Sequence, residues 1–125
     1  MNPQFSPMLI KWANAIKVWE GGPDATNPGD LKYSTLIASW GGTPGIKAAD
    51  GGHLAHFPTS QAGFTALCNF LKLGCENELI AFHSPEARTL GGFMTIYGGN
   101  PPQGYLNGIA AALGVPLTTQ ISTFL

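Results

Sequence analysis

The chain carries seven carboxylates, Glu20, Asp24, Asp30, Asp50, Glu76, Glu78 and Glu86, and one of them sits where a charged group is seldom found. Glu20 follows Ile16 by four residues, Ala13 by seven and Leu9 by eleven, so it continues the apolar stripe of a helix. A carboxyl on that stripe is expected to be partly desolvated, and desolvation raises the pKa of an acid until it holds its proton near neutral pH. Glu20 also closes its helix at the carboxyl end, where the backbone dipole disfavours an anion, so its position favours proton-donor chemistry over stability. The pair Gly21-Gly22 that follows leaves room for a ligand to approach. Periodicity alone leaves an alternative open, in which Glu20 ends a fraying helix and points to solvent.

Other reactive side chains are less well placed. His53, His56 and His83 suggest a metal set, but His-x-x-His on a strand directs the first two to opposite faces, so no metal is expected. Cys68 falls in an apolar helical stripe and is expected to be a buried thiol with no neighbouring base. Cys75 lies just past a helix end at Gly74, and a bridge to Cys68 would need a sharp bend of the chain. Two thiols at this spacing make no disulfide scaffold and do not assign a compartment.

These groups depend on the elements that carry them. Ser6-Pro7 is a helix start, with Ser capping and Pro in the first turn; Leu9, Trp12, Ala13, Ile16 and Trp19 then recur at helical spacing up to the stop at Gly21-Gly22. Turn formers from Pro23 to Asp30 predict an ordered loop. From Leu31 to Trp40, Leu31, Tyr33, Thr35 and Ile37 alternate with Lys32, Ser34 and Leu36, which predicts a strand, and a second strand is expected over His53 to Phe57. Pro58-Thr59-Ser60 opens a helix with Phe64, Leu67, Cys68 and Leu71 on one face. Two more helical stripes follow, Leu90, Phe93, Met94 and Tyr97, then Tyr105, Ile109, Ala112 and Leu113, separated by Gly98-Gly99-Asn100-Pro101-Pro102. Ile121 to Leu125 is expected to dock as a last helical turn.

A chain of 125 residues that is 44% hydrophobic can close one apolar core, so residues 1–125 are expected to be a single domain. A net charge of -1, with 10% charged residues, supplies no basic field, and a nucleic-acid partner is not expected. So sparse a charge suits neutral polar ligands such as sugars. Met1 to Pro7 lack a basic leader, and no apolar run follows that could serve as a signal peptide or membrane span; export would need outside help.

Three motifs then stand in order: Ile16-Lys17-Val18-Trp19-Glu20-Gly21-Gly22, Asn27-Pro28-Gly29-Asp30-Leu31-Lys32-Tyr33, and Phe57-Pro58-Thr59-Ser60-Gln61-Ala62-Gly63-Phe64. Together they resemble the lysozyme-like domains of phage and bacterial peptidoglycan hydrolases, a superfamily that includes lysozymes and lytic transglycosylases. The likeness runs on through Tyr97, Pro101-Pro102 and Tyr105 and covers most of the chain. It departs at Lys32, where the family usually has Arg, and in the Gly-rich stretch from Gly41 to Gly52. The resemblance implies an α+β fold, with a mostly helical body, a small β-hairpin lobe from Leu31 to Phe57, and a cleft between them holding Glu20. It implies cleavage of peptidoglycan glycan strands with Glu20 as the catalytic acid, at the bacterial cell wall or within a virion, without metal or organic cofactor.

A glycosidase with two carboxylates needs the second across the scissile bond, about 5 to 9.5 Å from the first. Asp30 is the best-placed candidate, while an Asx turn or loop anchor is its structural alternative. If Asp30 is structural, Glu20 acts alone, as in lytic transglycosylases. Ser34 and Thr35 are candidates for positioning substrate or water, and Tyr97 for stacking on a sugar ring; Tyr105 is better suited to core packing. A non-catalytic glycan-binding or virion module of the same fold, and an enzyme acting on chitin or chitosan, stay open as rivals.

Overall fold

In a computed structural model, which describes residues 5–125, the first helix begins and ends where its punctuation requires. Helix α1 spans Pro7–Glu20. The Leu9 amide donates to Ser6 Oγ at 3.0 Å, which caps the helix, and Gly21 follows its last residue with a left-handed φ of 39°. The chain is mixed α and β and divides into two compact units, one of residues 1–15 and 70–125 and one of residues 16–69. Residues 1–4 of the amino-terminal segment lie outside the described residues.

Residues 16–69 hold the β-structure. Strand β1 (Thr43–Lys47) and strand β2 (His53–His56) form one antiparallel hairpin, with an irregular register between Pro44 and Lys47. The second expected strand is therefore found, but the first is displaced. Its partner comes from the Gly-rich stretch, where Pro44 sits in an edge strand that can spare an N–H. Of the run expected as a strand, Leu31 to Trp40, only its first residues stay extended. Lys32 bridges Leu54, Leu31 O accepts from the Ala55 amide, and the Tyr33 amide donates to His53 O, both at 2.9 Å. Ser34 then accepts from the Ile37 amide at 3.3 Å and starts helix α2 (Thr35–Ala38). A serine that caps a helical turn competes with the sheet ladder, and here the cap wins. A two-stranded hairpin alone is marginal in water. The bridge from Leu31 to Tyr33 and the buried side chain of Asn27 tie this one down.

Helix α3 (Ser60–Cys75) starts on Thr59, whose Oγ1 accepts from the Ala62 amide at 3.0 Å. Leu67, Cys68 and Leu71 are buried as their spacing predicts, and the helix runs one residue beyond the expected end at Gly74. Both cysteines are free and buried on this helix, and burial pushes their thiols up to about 11 and about 12.

Within residues 5–15 and 70–125, Phe93, Met94 and Phe124 gather around Trp12. Helix α4 (Leu90–Tyr97) brings the Phe93 ring edge-on to Trp12 at 5.1 Å, and Phe124 of the last turn, Ile121–Phe124, meets it at 5.4 Å. The Trp12 indole N–H donates to Met94 Sδ at 3.3 Å, so its one polar atom is not left unpaired. Arg88 donates to the carbonyls of Gly74 and Phe82, both at 3.0 Å. Helix α5 (Gln103–Leu113) buries Tyr105, Ile109 and Leu113, whereas Ala112, expected on the same face, is exposed. Among the described residues no helix is long and apolar enough to cross a membrane.

Candidate active site

Glu20 and Asp30 come together within residues 16–69. Leu9, Ala13 and Ile16 are buried on the stripe that Glu20 extends, and Glu20 itself is half-buried. Trp19, expected on the buried face, is 46% exposed. The loop from Gly21 returns the chain to the helix end, where the Glu20 carboxyl acts on that of Asp30.

The loop is built from its own polar side chains. Asn27 is fully buried; its Nδ2 donates to Leu31 O at 2.9 Å and Ala55 O at 2.8 Å, and its Oδ1 accepts from the Leu31 amide at 2.9 Å. Asp24 Oδ1 accepts from the Thr26 amide at 2.9 Å and the Thr26 hydroxyl at 2.6 Å, while His56 Nδ1 donates to Asp24 Oδ2 at 2.8 Å. The Thr26 hydroxyl, then the His56 ring, hold the Asp24 carboxyl down at about 2. Asp24 therefore stabilises the fold above its ordinary pKa near 4, and that contribution is lost as pH falls towards 2. The Asx-turn chemistry considered for Asp30 is thus performed by its neighbours.

Asp30 adopts a left-handed φ of 52°, a conformation that Asp and Asn tolerate better than most residues, and its amide donates to Asn27 O at 3.2 Å. Its carboxyl lies against the backbone of Gly22, where a Cβ would come within 1.7 Å of Oδ1. The close approach foreseen at Gly21-Gly22 for a ligand is used, at Gly22, by the protein's own carboxyl. Burial, then the Glu20 charge and the shared hydrogen bond, push Asp30 up to about 6.

A stability prediction follows from the sign of this shift. The folded state holds the Asp30 proton more tightly than the unfolded chain, so the penalty is absent below about pH 4 and complete above about pH 6. Asp30→Asn removes the ionisation and keeps the backbone conformation. The variant should gain on the order of 1–2 kcal/mol at pH 7.5, after discounting for partial exposure, and nothing at pH 3.5. Thermal melts at both pH values check this.

The remaining candidates fall elsewhere. Ser34 gives its hydroxyl to the α2 cap and Thr35 is exposed at the start of that helix, so neither stands on a strand. Tyr97 lies in residues 70–125, half-buried, with its ring 5.9 Å from Phe70 and 6.3 Å from Phe93. Tyr105 is buried. Beside the carboxyl pair, a depression of about 380 Å³ is lined by Lys17, Gly21, Gly22, Asp24 and Ser60, among others. His53 and His56 are exposed, and among the described residues no three His, Cys, Asp or Glu side chains cluster as metal ligands.

The structure adds residues that reactive-group chemistry did not single out. Asn27 was legible as a turn former and as the first residue of the second motif, but not as a buried loop plug. Gly22 gave no sign of which group would lie against it. Comparison with protein-family models, curated proteins and solved structures gives no match to this chain.

Proposed function

We propose that the chain cuts the glycan strands of peptidoglycan with Glu20 as general acid. The observation that carries this is the approach of the Asp30 carboxyl to Glu20 at the end of α1, where burial and the Glu20 charge push Asp30 up to about 6. The substrate class comes from the motifs around Glu20, Asn27 and Phe57, which resemble those of lysozyme-like domains; a lysozyme-like arrangement of helical body, hairpin and cleft is the fold that accompanies this reading. Glu20 protonates the oxygen of the β-1,4 linkage between N-acetylmuramic acid and N-acetylglucosamine. The C1–O bond breaks, its electron pair stays on the leaving oxygen, and the developing cation at C1 is captured by water or by the sugar's own hydroxyl. Thr35 is a candidate polar contact. The place of action is the bacterial cell wall or a virion.

The test is mass spectrometry of fragments released from purified peptidoglycan. The wild-type protein should release muropeptides, and Glu20→Gln should do so at least about 100-fold more slowly, the contribution expected of a general acid. Reducing ends would identify hydrolysis, and anhydro ends internal ring closure. Binding without release by the wild-type protein would overturn the proposal in favour of a glycan-binding module.

A further inference from the structure

We propose that Trp19 is a glycan-stacking residue, whose exposed indole at the end of α1 holds the apolar face of a neutral pyranose ring. The inference takes its ligand class from the proposed glycan cleavage, whereas the exposed aromatic face stands without that reading.

The placement of Trp19 on its helix carries the argument. Residues three and four apart share one face of a helix, so Trp19 and Glu20 are the two successors of Ile16, which is fully buried. Both come out of the core at the last turn, Trp19 to 46% exposure and Glu20 to half-burial. The helix ends directly after them at Gly21, with φ 39°, and neither Gly21 nor Gly22 has a side chain that could cover the ring. The carboxyl that returns to this end, that of Asp30, packs on the backbone of Gly22.

An indole is a large apolar group, and burying one is among the strongest favourable contributions to folding. Leaving it in water beside an acid favours binding over stability. The chain does this sparingly. Among the described residues only two aromatic side chains are exposed, Trp19 and Tyr33, the latter at 38%, and both belong to residues 16–69 with Glu20 and Asp30. Tyr97, by contrast, lies in residues 70–125 and is half-buried.

A flat, uncharged ring carried on a helix suits a partner with a flat apolar face. A pyranose offers one in its C–H groups, while its hydroxyls stay in water at the rim. A nucleobase has such a face too, but its phosphates call for a basic field that a net charge of -1 does not supply. Trp has only two side-chain torsions to immobilise, so little entropy is lost on stacking. Recognition of this kind reads the sugar ring and needs no charge on the stem peptide.

The experiment is binding of peptide-free glycan strands, of alternating N-acetylglucosamine and N-acetylmuramic acid, to the uncleaving Glu20→Gln protein. Calorimetry gives Kd, and NMR follows the Trp19 indole N–H. In that background Trp19→Leu should weaken binding at least about 10-fold, as loss of an aromatic anchor does, and Trp19→Tyr should stay within about 3-fold of the parent. Val18→Ala is the control, because Val18 is 78% exposed on an adjoining side of the helix, and it should leave Kd unchanged. In the cleaving protein, Trp19→Leu should raise KM at least about 10-fold with kcat within several-fold of wild type. Unweakened binding by Trp19→Leu would overturn the inference. So would equal losses in Trp19→Leu and Val18→Ala, which mark a shapeless apolar face, or glycan-free self-association that Trp19→Leu abolishes, which assigns the ring to a second copy of the chain. Trp19-dependent binding with no release of fragments by wild type removes the proposed cleavage and keeps the inference. Release with a KM indifferent to Trp19 does the reverse.

Discussion

Gly63→Ala should destabilise the protein by about 3 kcal/mol or more, although glycine to alanine inside a helix ordinarily stabilises by up to about 1 kcal/mol. The reversal comes from the loop that lies against α3. A Cβ on Gly63 would fall 1.6 Å from the carbonyl oxygen of Thr26, 2.8 Å from its carbon and 3.1 Å from Pro28 Cδ. The first two are backbone atoms, and Thr26 is held by Asp24 through two hydrogen bonds and by the Phe57 amide, which donates to Thr26 Oγ1 at 3.0 Å. The loop must move as a whole or the helix must shift. Gly104 in α5 is the internal control, because nothing lies within 4 Å of its added Cβ. Urea denaturation should place Gly104→Ala at or above wild type and Gly63→Ala far below it. Two variants displaced in the same direction by similar amounts would refute the packing account.

Asn27→Ala should cost about 3–5 kcal/mol, measured in the same way. The substitution leaves the Leu31 amide without its partner and takes one donor each from the carbonyls of Leu31 and Ala55, all in a buried setting. Leu31 O keeps a second donor in the Ala55 amide, which limits the loss there. Asn27→Asp separates hydrogen bonding from volume. It preserves size but turns a carboxylate oxygen towards two carbonyl oxygens, so it should be at least as damaging as alanine. Because Asn27 also accepts at its own carbonyl from the Asp30 amide, both variants should reduce the proposed peptidoglycan cleavage in parallel with stability. A variant that unfolds more readily yet cleaves at the wild-type rate would separate the plug from the site.

Where one residue type at one spacing has a single physical solution, the sequence is a good guide. Ser6-Pro7 and Gly21 bracket α1, Thr59 starts α3, and the stripe Leu67, Cys68, Leu71 is buried, because helix caps and 3.6-residue periodicity are local properties. The strand expected from Leu31 to Trp40 failed at Ser34. Alternation describes a strand and a short helix equally over so few residues, and the cap bond to Ile37 decides between them. The true partner of β2 lay in a segment whose glycines and proline hide any periodicity, and pairing across a hairpin is a non-local choice.

Local sequence was enough for α1, α3, α4 and α5, for the thiol burial at Cys68, and for Glu20 as the carboxylate that interrupts an apolar stripe, since each follows from neighbours within about two turns of chain. Tertiary structure alone decided that Asp30 meets Glu20 and that Gly22 backs it. It also decided that Asn27 and the Asp24–Thr26–His56 cluster lock the loop between them. The physical reason is that electrostatics and close packing depend on distance in space. Nine residues lie between Glu20 and Asp30 along the chain, and no periodicity spans a loop whose path is set by the buried hydrogen bond of Asn27 to β2.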